Sequence, residues 1–576
     1  VKIRFGMKDK YILGISCGFH DSAACLVKNG KVLGACEEER FTGIKHDSSF
    51  PTNVINWLLN EKGLTGRDID IVTFYESPEL KLDRIKKTSK KTLLQKLNPF
   101  NPAVTRNRLQ NQKFKNEIYK ITHKDVVLVY GNHHLSHAGY GFYTSDFKNS
   151  TIVSVDGVGE WETTSIYFGN QNKIIQLKNV NFPHSLGMLY SAFTAYLGFK
   201  PNEGEYKVMG LAPYGNSNRF KSKFDKLYTL DDDGLFSLNM KYFTFEYSEI
   251  DMFNLNLPKL FGVPNRLPED ELTQDHKDIA AGLQELYEFL FFKLLNLAYK
   301  MTKNDNLVLV GGCAYNGTAN GKILELTPFK NIHIPSAPSD AGSAIGSALH
   351  YYYSEYKWEA DIDNSNPFLG PMFSKRQIKT ILDENSKDVW YEELPEYDLV
   401  KKISKEITEG NVVGWFDGRI EFGARALGNR SILANPRDPQ MKSRVNRVIK
   451  KREGFRPFAP MVLKEYQSTF FNYKQDVPYM NQVVSVKDEY KNSLPAITHV
   501  DGSARIQTVY DEVTPRIARL LKQLQIDNKY PIVLNTSFNL KDQTMVLDPK
   551  TAIQTFLNCE MDTLVLGNFV VKKTIT

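Results

Sequence analysis

Residues 11–40, YILGISCGFHDSAACLVKNGKVLGACEEER, are answered by a second stretch of the same grammar at residues 150–182, STIVSVDGVGEWETTSIYFGNQNKIIQLKNVNF. Each reads as an apolar strand running into a glycine turn, followed by two strands joined by a tight hairpin. In the first copy the hairpin turns at Asn29-Gly30, a pair that tolerates the left-handed backbone such turns need. In the second, the glycine turn is Asp156-Gly157 and the hairpin turns at residues 170–172. Helical sequence follows both copies, PTNVINWLLNEKG and SLGMLYSAFTAYLG. A chain that repeats this unit is expected to build two similar α/β lobes facing each other, with turn N–H groups free to hold phosphate.

Later segments complete the second lobe. KDIAAGLQELYEFLFFKLLNLAYK has the length and apolar stripe of a core helix. NLVLVGGCAYNGTANGKILE is a buried strand, a Gly311-Gly312 turn and a helix opening in which Asn316 lies beside the turn. In NIHIPSAPSDAGSAIGSALHYYY a strand and a Ser/Pro loop precede a helix beginning near Asp340, whose small residues let backbone approach a ligand closely. The topology resembles the actin/sugar-kinase/Hsp70 superfamily, a fold that hosts many chemistries. After Tyr353 the pattern loosens, giving a first domain over 1–355, a linker over 356–390 and a second α/β domain over 391–576 with strands NVVGWF, PIVLNTSF and TLVLGNFVV.

At 576 residues several domains are expected. No apolar run reaches eighteen residues, so no membrane-spanning helix is expected. The first residues hold no apolar signal core. Five scattered cysteines form no CxxC pair, which points away from a disulfide framework or a thiolate zinc site. These features place the chain in a reducing cytoplasm. The net charge of +7 is concentrated: residues 81–120 carry twelve basic and two acidic side chains. A solvated helix face explains such a run, and so does a polyanion-attracting patch; charge alone does not make this a nucleic-acid-binding protein.

GNHHLSHAGYGFY puts three histidines within five positions. His133 and His137, four apart, project from one side of a helix with Cβ atoms about 5–6 Å apart. Asp156 lies in the second glycine turn and Asp340 at a helix start, so in a two-lobed fold the four can converge. Two imidazoles and two carboxylates suit iron(II), manganese or zinc. The alternative is that His134 or His137 caps the helix start and Asp156 only shapes its turn.

In the second domain, GWFDGRIEFGARALGNRSILANPRDPQMKSRVNRVIKKREGFRPFAPMVL sets Arg419, Arg425 and Arg430 among Gly418, Gly423 and Gly428. This is a poor surface helix and a plausible anion cradle, because Arg binds phosphate through two parallel hydrogen bonds. Lys450, Arg452, Arg456 and Arg505 follow, and VLNTSFN ends a strand with Asn535, Ser537 and Asn539. A nucleic-acid surface or ordinary exposed charge is the competing reading, against which the interleaved Gly, Pro, Phe and Ala argue for a packed pocket. No P-loop accompanies these residues.

In fixed order along the chain, GFHDSAACLV, EEERFTGIKHDSSFP, HHLSHA, VDGVGE, GEYKVMGLAPYG, GGCAYNG, SDAGSAIGSAL, EFGARALGNRSILANPRDP, REGFRPFAP and LNTSFN resemble the NodU/CmcH carbamoyltransferase family. The resemblance implies an N-terminal duplicated actin-like, Gcp-like domain that transfers a carbamoyl group, and a C-terminal YrdC-like α/β domain. The latter would make carbamoyl-adenylate from carbamoyl phosphate and ATP, with Mg(2+) arriving with the nucleotide. By the same resemblance His133, His137, Asp156 and Asp340 would hold Fe(2+). Arg425, Arg505, Ser537 and Asn535, with Lys450 near the phosphates, would hold carbamoyl phosphate and nucleotide, and Gly311, Gly312 and Asn316 would line a ligand site. His20, beside Asp21, would act as base on a small hydroxylated acceptor or orient the carbamoyl group. Dimers are common in the family, so the resemblance allows a homodimer, although the sequence itself does not give the oligomeric state; neither membrane nor nucleic acid is an expected partner. Ala424 stands where the family usually has proline, a change in loop stiffness. A sugar kinase, a tRNA threonylcarbamoyl-type enzyme and a non-enzymatic nucleic-acid-binding protein are the alternatives. The first leaves the arginine-rich domain unused, the second normally splits its domains between chains, and the third leaves the acids and bases unexplained.

Overall fold

The computed structural model describes residues 9–88, 102–248, 250–356, 362–452 and 454–574. Residues 89–101 of the basic segment and 357–361 of the expected linker lie outside them. The chain divides into two compact units. The first comprises residues up to Glu38, His46–Tyr315 and Ile323–Ser365; the second comprises Glu39–Lys45, Asn316–Lys322 and the chain from Asn366.

The duplication is present strand for strand. One sheet has the order β3-β2-β1-β4-β5, built from β1 (Tyr11–Ser16), β2 (Ala23–Lys28), β3 (Lys31–Glu37), β4 (Ile71–Phe74) and β5 (Val127–Tyr130). The other has β8-β7-β6-β11-β12, the same order read from its opposite edge. Its strands are β6 (Asn149–Val155), β7 (Glu162–Asn170), β8 (Lys173–Asn181), β11 (Asn306–Val310) and β12 (Asn331–His333). Between β8 and β11 lies a separate ribbon of β9 (Tyr228–Leu230) and β10 (Phe236–Leu238). In each large sheet the first three strands are antiparallel and the remaining pairings parallel. The first hairpin turns through Asn29 and Gly30 with φ of 50° and 81°, the two positive values that the sequence pair supplies.

Two helices join the lobes, His133–Tyr143 after β5 and Asp340–Glu355 after β12. They cross at glycine: a Cβ on Gly346 would lie 1.8 Å from the Ser136 carbonyl oxygen, and one on Gly139 2.7 Å from the Gly346 oxygen. Asp340–Glu355 also packs on β1, where a Cβ on Gly14 would lie 2.1 Å from the Ala344 oxygen. The small residues of GSAIGSAL therefore let helix approach helix and strand. Gln274–Thr302 is the expected core helix.

The second unit is built on an eight-stranded mixed sheet, β13-β22-β21-β14-β15-β20-β16-β19. Its strands are β13 (Val389–Glu393), β14 (Val413–Phe416), β15 (Arg430–Ala434), β16 (Ala459–Leu463), β19 (Gln507–Val509), β20 (Ile532–Ser537), β21 (Thr563–Leu566) and β22 (Phe569–Lys573). A separate ribbon pairs β17 (Val483–Ser485) with β18 (Ser503–Arg505). Alternation along β14 and β15 sends Val413, Trp415 and Leu433 to one core, shared with helices Glu396–Thr408 and Pro515–Asn528. Phe416, Ile432 and Ala434 go to the other. TLVLGNFVV, expected as one strand, is two antiparallel strands turning at Gly567, where φ is 57°. Part of the expected linker is folded: Ser374 and Gln377 form a capping box on the helix Lys375–Glu384, whose Ile378 and Leu382 enter the core.

Candidate active site

In the first unit, the parallel strands of both sheets end where chemistry-bearing residues begin. The chain leaves β1 for His20, β4 for Glu76, β5 for His133, β6 for Asp156, β11 for Gly312 and β12 for Asp340. Carboxyl ends of parallel strands are where α/β sheets bind ligands.

His133 and His137 share one helix face, and the two aspartates meet them. His133 Nε2 is 3.0 Å from Asp156 Oδ2 and 3.4 Å from Asp340 Oδ1; His137 Nε2 is 3.1 Å and 3.5 Å from the same atoms. The two Nε2 atoms are 3.1 Å apart, and one donor atom from each of the four residues fits within 4.8 Å of the others. Ligands about 2.0–2.1 Å from a common ion at tetrahedral or right angles stand about 2.9–3.4 Å apart. The donor set thus fits a divalent cation in both chemistry and spacing. The set is almost wholly inaccessible to solvent, with side-chain exposures of 4%, 1%, 13% and 5% for His133, His137, Asp156 and Asp340.

The capping alternative is resolved in favour of another residue. Asn132 is the N-cap, accepting from the Leu135 N–H at 2.9 Å, while His134 turns away to Ser165 Oγ at 2.9 Å. His137 Nδ1 lies 2.9 Å from Ser343 Oγ, which leaves Nε2 directed at the carboxylates. Asp156 Oδ1 accepts from the Gly157 N–H at 2.8 Å and from the Gly312 N–H at 3.2 Å. Gly311 takes φ of 89°, and a Cβ there would meet the Val155 oxygen at 2.2 Å. The Gly311-Gly312 turn therefore supports the Asp156 carboxylate. Asn316 caps a short helix, accepting from the Ala319 N–H at 3.1 Å.

Burial opposes charge on all four groups but is outweighed by their mutual attraction. It leaves Asp156 and Asp340 well below the usual carboxylate range and His133 and His137 above the usual imidazole range. The two carboxylates call for positive charge between them, which protons on the imidazoles or a divalent cation can supply. Beside this cluster, His20 Nδ1 is 3.0 Å from Asp21 Oδ2, and Asp21 Oδ1 is 2.7 Å from His46 Nδ1. Burial lowers the His20 pKa, but Asp340, Asp21 and Asp156 more than reverse that and raise it to about 9.

The second unit gathers cations. Burial, with Arg425 and Arg452 nearby, holds the Arg505 guanidinium well below its usual range, and its buried Nε has no hydrogen-bond partner among the described residues. Three partly buried cations gathered around that nitrogen are suited to an anion. Lys450 is committed otherwise. Its Nζ lies 2.7 Å and 2.9 Å from the Ser537 and Asn539 carbonyl oxygens, 3.3 Å from Ser537 Oγ and 2.5 Å from Asn539 Oδ1. It anchors the SFN turn after β20. Asn535 donates to the Ala426 carbonyl at 2.8 Å, so it braces the loop that carries Arg425.

Arg430 leaves the expected anion cradle. The wholly buried Arg430 donates to the Asp417 and Asn429 carbonyls at 2.6 Å and 2.9 Å and lies 3.5 Å over the Phe416 ring. Arg419 donates to the Gly370 carbonyl at 2.9 Å. The sequence reading also passed over Glu421, whose Oε1 accepts from the Leu427, Asn429 and Arg430 N–H groups at 2.8–3.1 Å and folds the loop around Arg425. Its signal was an acid inside a basic, glycine-rich run. Glu76, Glu160 and Ser343 carried no comparable signal.

A family model of the carbamoyltransferase N-terminus matches residues 11–349, and one of the carbamoyltransferase C-terminus matches residues 404–573. The chain is 42% identical to an uncharacterized protein of Synechocystis, covering 98% of this chain and 97% of that one. It is 35% identical to nodulation protein NolNO of Sinorhizobium fredii, over 96% of this chain and 79% of that one. It is 32% identical to the 3'-hydroxymethylcephem-O-carbamoyltransferase of Amycolatopsis lactamdurans, over 46% of this chain and 49% of that enzyme.

Proposed function

Because the chain belongs to the carbamoyltransferase family, we propose that it is an ATP-dependent O-carbamoyltransferase working through carbamoyl-adenylate on a small polyhydroxylated acceptor. The observation that carries this reading is that the half-buried Arg505 stands near Arg425 and Arg452, with its Nε buried and without a hydrogen-bond partner among the described residues, in the unit that does not hold the four-donor cluster. One chain thus has a place for polyphosphate chemistry and another for transfer. Relatives named for O-carbamoylation and nodulation support a hydroxyl acceptor of natural-product or sugar type.

In the second unit, water releases phosphate from carbamoyl phosphate. A carbamate oxygen then attacks the α-phosphorus of ATP and pyrophosphate leaves. Arg505 and Arg425 neutralise the phosphate oxygens brought together in that step. Lys450 holds the Ser537 turn in place for the same anions. Mg(2+) enters with the nucleotide.

In the first unit, His133, His137, Asp156 and Asp340 would hold a divalent cation, for which the family resemblance implies iron(II). When bound, such an ion supplies positive charge that offsets the AMP phosphate and the pull of Asp340 and Asp156 on the His20 imidazolium. Asp21 holds His20 through Nδ1, which leaves Nε2 to accept the acceptor's hydroxyl proton. The acceptor oxygen bonds to the carbamoyl carbon, and the bond from that carbon to the AMP oxygen breaks. A His20 left at about 9 would be charged at neutral pH and unable to take the proton, so the residue works as a base only with its neighbouring carboxylates compensated.

The test is exchange of labelled pyrophosphate into ATP without acceptor. Exchange should require carbamoyl phosphate, disappear in Arg505→Ala and survive in His20→Asn. Exchange that ignores carbamoyl phosphate, or that is lost with His20, contradicts the division of labour.

A further inference from the structure

We infer that Glu76, held by Lys81, is a positioning residue for His133: it fixes the ring tautomer that presents Nε2 to a divalent cation. The inference rests on the metal reading above. His133 Nε2 points into the four-donor cluster, so it can serve as a ligand only when the ring proton sits on Nδ1. Nδ1 is buried and has no hydrogen-bond partner within ordinary reach. The acceptor that faces it is Glu76 Oε2, 3.7 Å away. The carboxylate is 6% exposed at its side chain, and its other oxygen lies 2.7 Å from Lys81 Nζ.

The local chain explains this placement. Glu76 comes two residues after β4, and the helix Pro78–Thr88 begins immediately beyond it. One turn into that helix, Lys81 reaches back to Glu76. Glu160 fixes the rest of the frame: it accepts from the Ser77 N–H at 2.7 Å and with both oxygens from the His133 N–H at 3.0 Å. His133 is thereby gripped at its backbone by one buried carboxylate and faced at its ring by another. His137, whose Nδ1 lies 2.9 Å from the Ser343 hydroxyl, has only a neutral partner. Imidazole ligands commonly donate their second ring N–H to a carboxylate or carbonyl, which sets ring orientation and raises ligand basicity.

Lys81 opens the basic run of residues 81–120. Its ion pair with Glu76 gives this first cation of the run an internal role. Nothing about that role needs a polyanion.

Cobalt(II) is the probe, titrated anaerobically into the full chain against a competing chelator, with its visible absorption recorded. Glu76→Gln should weaken cobalt binding about 10–100-fold and alter the absorption envelope. Lys81→Met should weaken it in the same direction, and Glu76→Asp should recover part of the affinity. Ser343→Ala should cost less than Glu76→Gln. The thermal unfolding profile of each variant checks that the fold is kept; where Glu76→Gln fails to fold, Lys81→Met carries the test. Wild-type affinity and an unchanged spectrum in a folded Glu76→Gln or Lys81→Met chain would overturn this inference alone. A wild-type chain that binds no cobalt would overturn it together with the metal reading.

Discussion

The crossing of the two lobe-joining helices makes the four-donor cluster sensitive to a single methyl group. Gly346→Ala places a carbon 1.8 Å from the Ser136 oxygen and 2.6 Å from the Tyr140 nitrogen, where ordinary contact begins near 3.4 Å. Relief needs the helices to part by about 1.6 Å, the difference between 3.4 Å and 1.8 Å, because both obstacles are backbone and cannot rotate away. His133 and His137 ride on one helix and Asp340 on the other, about 9 Å along the axis from the crossing at 1.5 Å per residue. If half the displacement reaches the donors, the His–Asp340 separations of 3.4 Å and 3.5 Å grow by about 0.8 Å, against a tolerance of about 0.2 Å for a metal–ligand distance. Overpacking of this kind costs about 1–3 kcal/mol, which a domain usually survives. The expected product is therefore a folded chain that binds metal at least tenfold more weakly. Equilibrium dialysis with elemental analysis measures the affinity, and circular dichroism the fold. Gly454→Ala, whose new carbon meets nothing within 4 Å, is the control. Full metal occupancy in folded Gly346→Ala would refute the claim that this crossing sets the donor geometry.

Two further outcomes follow from the charge arrangement. In the metal-free chain Asp156 and Asp340, working against burial, hold His133 and His137 above their ordinary range, so a cation must compete with protons for these two rings. Metal affinity should therefore rise with pH through neutrality, by up to about tenfold per released proton per pH unit; a pH indicator in weakly buffered solution that registers no proton release on cobalt addition contradicts this. Arg430→Lys cannot reproduce the fork onto the Asp417 and Asn429 carbonyls or the stacking over Phe416. The second unit should lose about 2–4 kcal/mol in urea unfolding followed by tryptophan fluorescence, and an unchanged midpoint would show that the fork contributes little.

How far the sequence could be read depended on whether a signal was local. The hairpin at Asn29-Gly30 was legible because left-handed backbone at two successive positions selects those residue types. The HxxxH spacing was legible because a helix fixes which side chains share a face. Strands β4 and β5 are only four residues long and take the last two places in a sheet whose order is set by partners far away in the chain. Glu76 hangs from the end of one of them. Its importance comes from His133, 57 positions later, and no short-range pattern records that pairing.

Arg425 and Arg430 show the same limit within one loop. Five residues apart in a single glycine-rich run, they look equally suited to grip a phosphate. What separates them is that β15 begins at Arg430 and pairs with Phe416 of β14, which draws that guanidinium inward over the ring and among backbone carbonyls. Arg425 lies before the strand, on the loop folded by Glu421, and shares its surroundings with Arg505 from 80 positions further on. Identical side chains thus divide into one that supports the sheet and one that sits in a loop beside other cations. The division is decided by strand register, a property of the folded sheet, so the arginines of such a run can be assigned to chemistry only after the pairing is known.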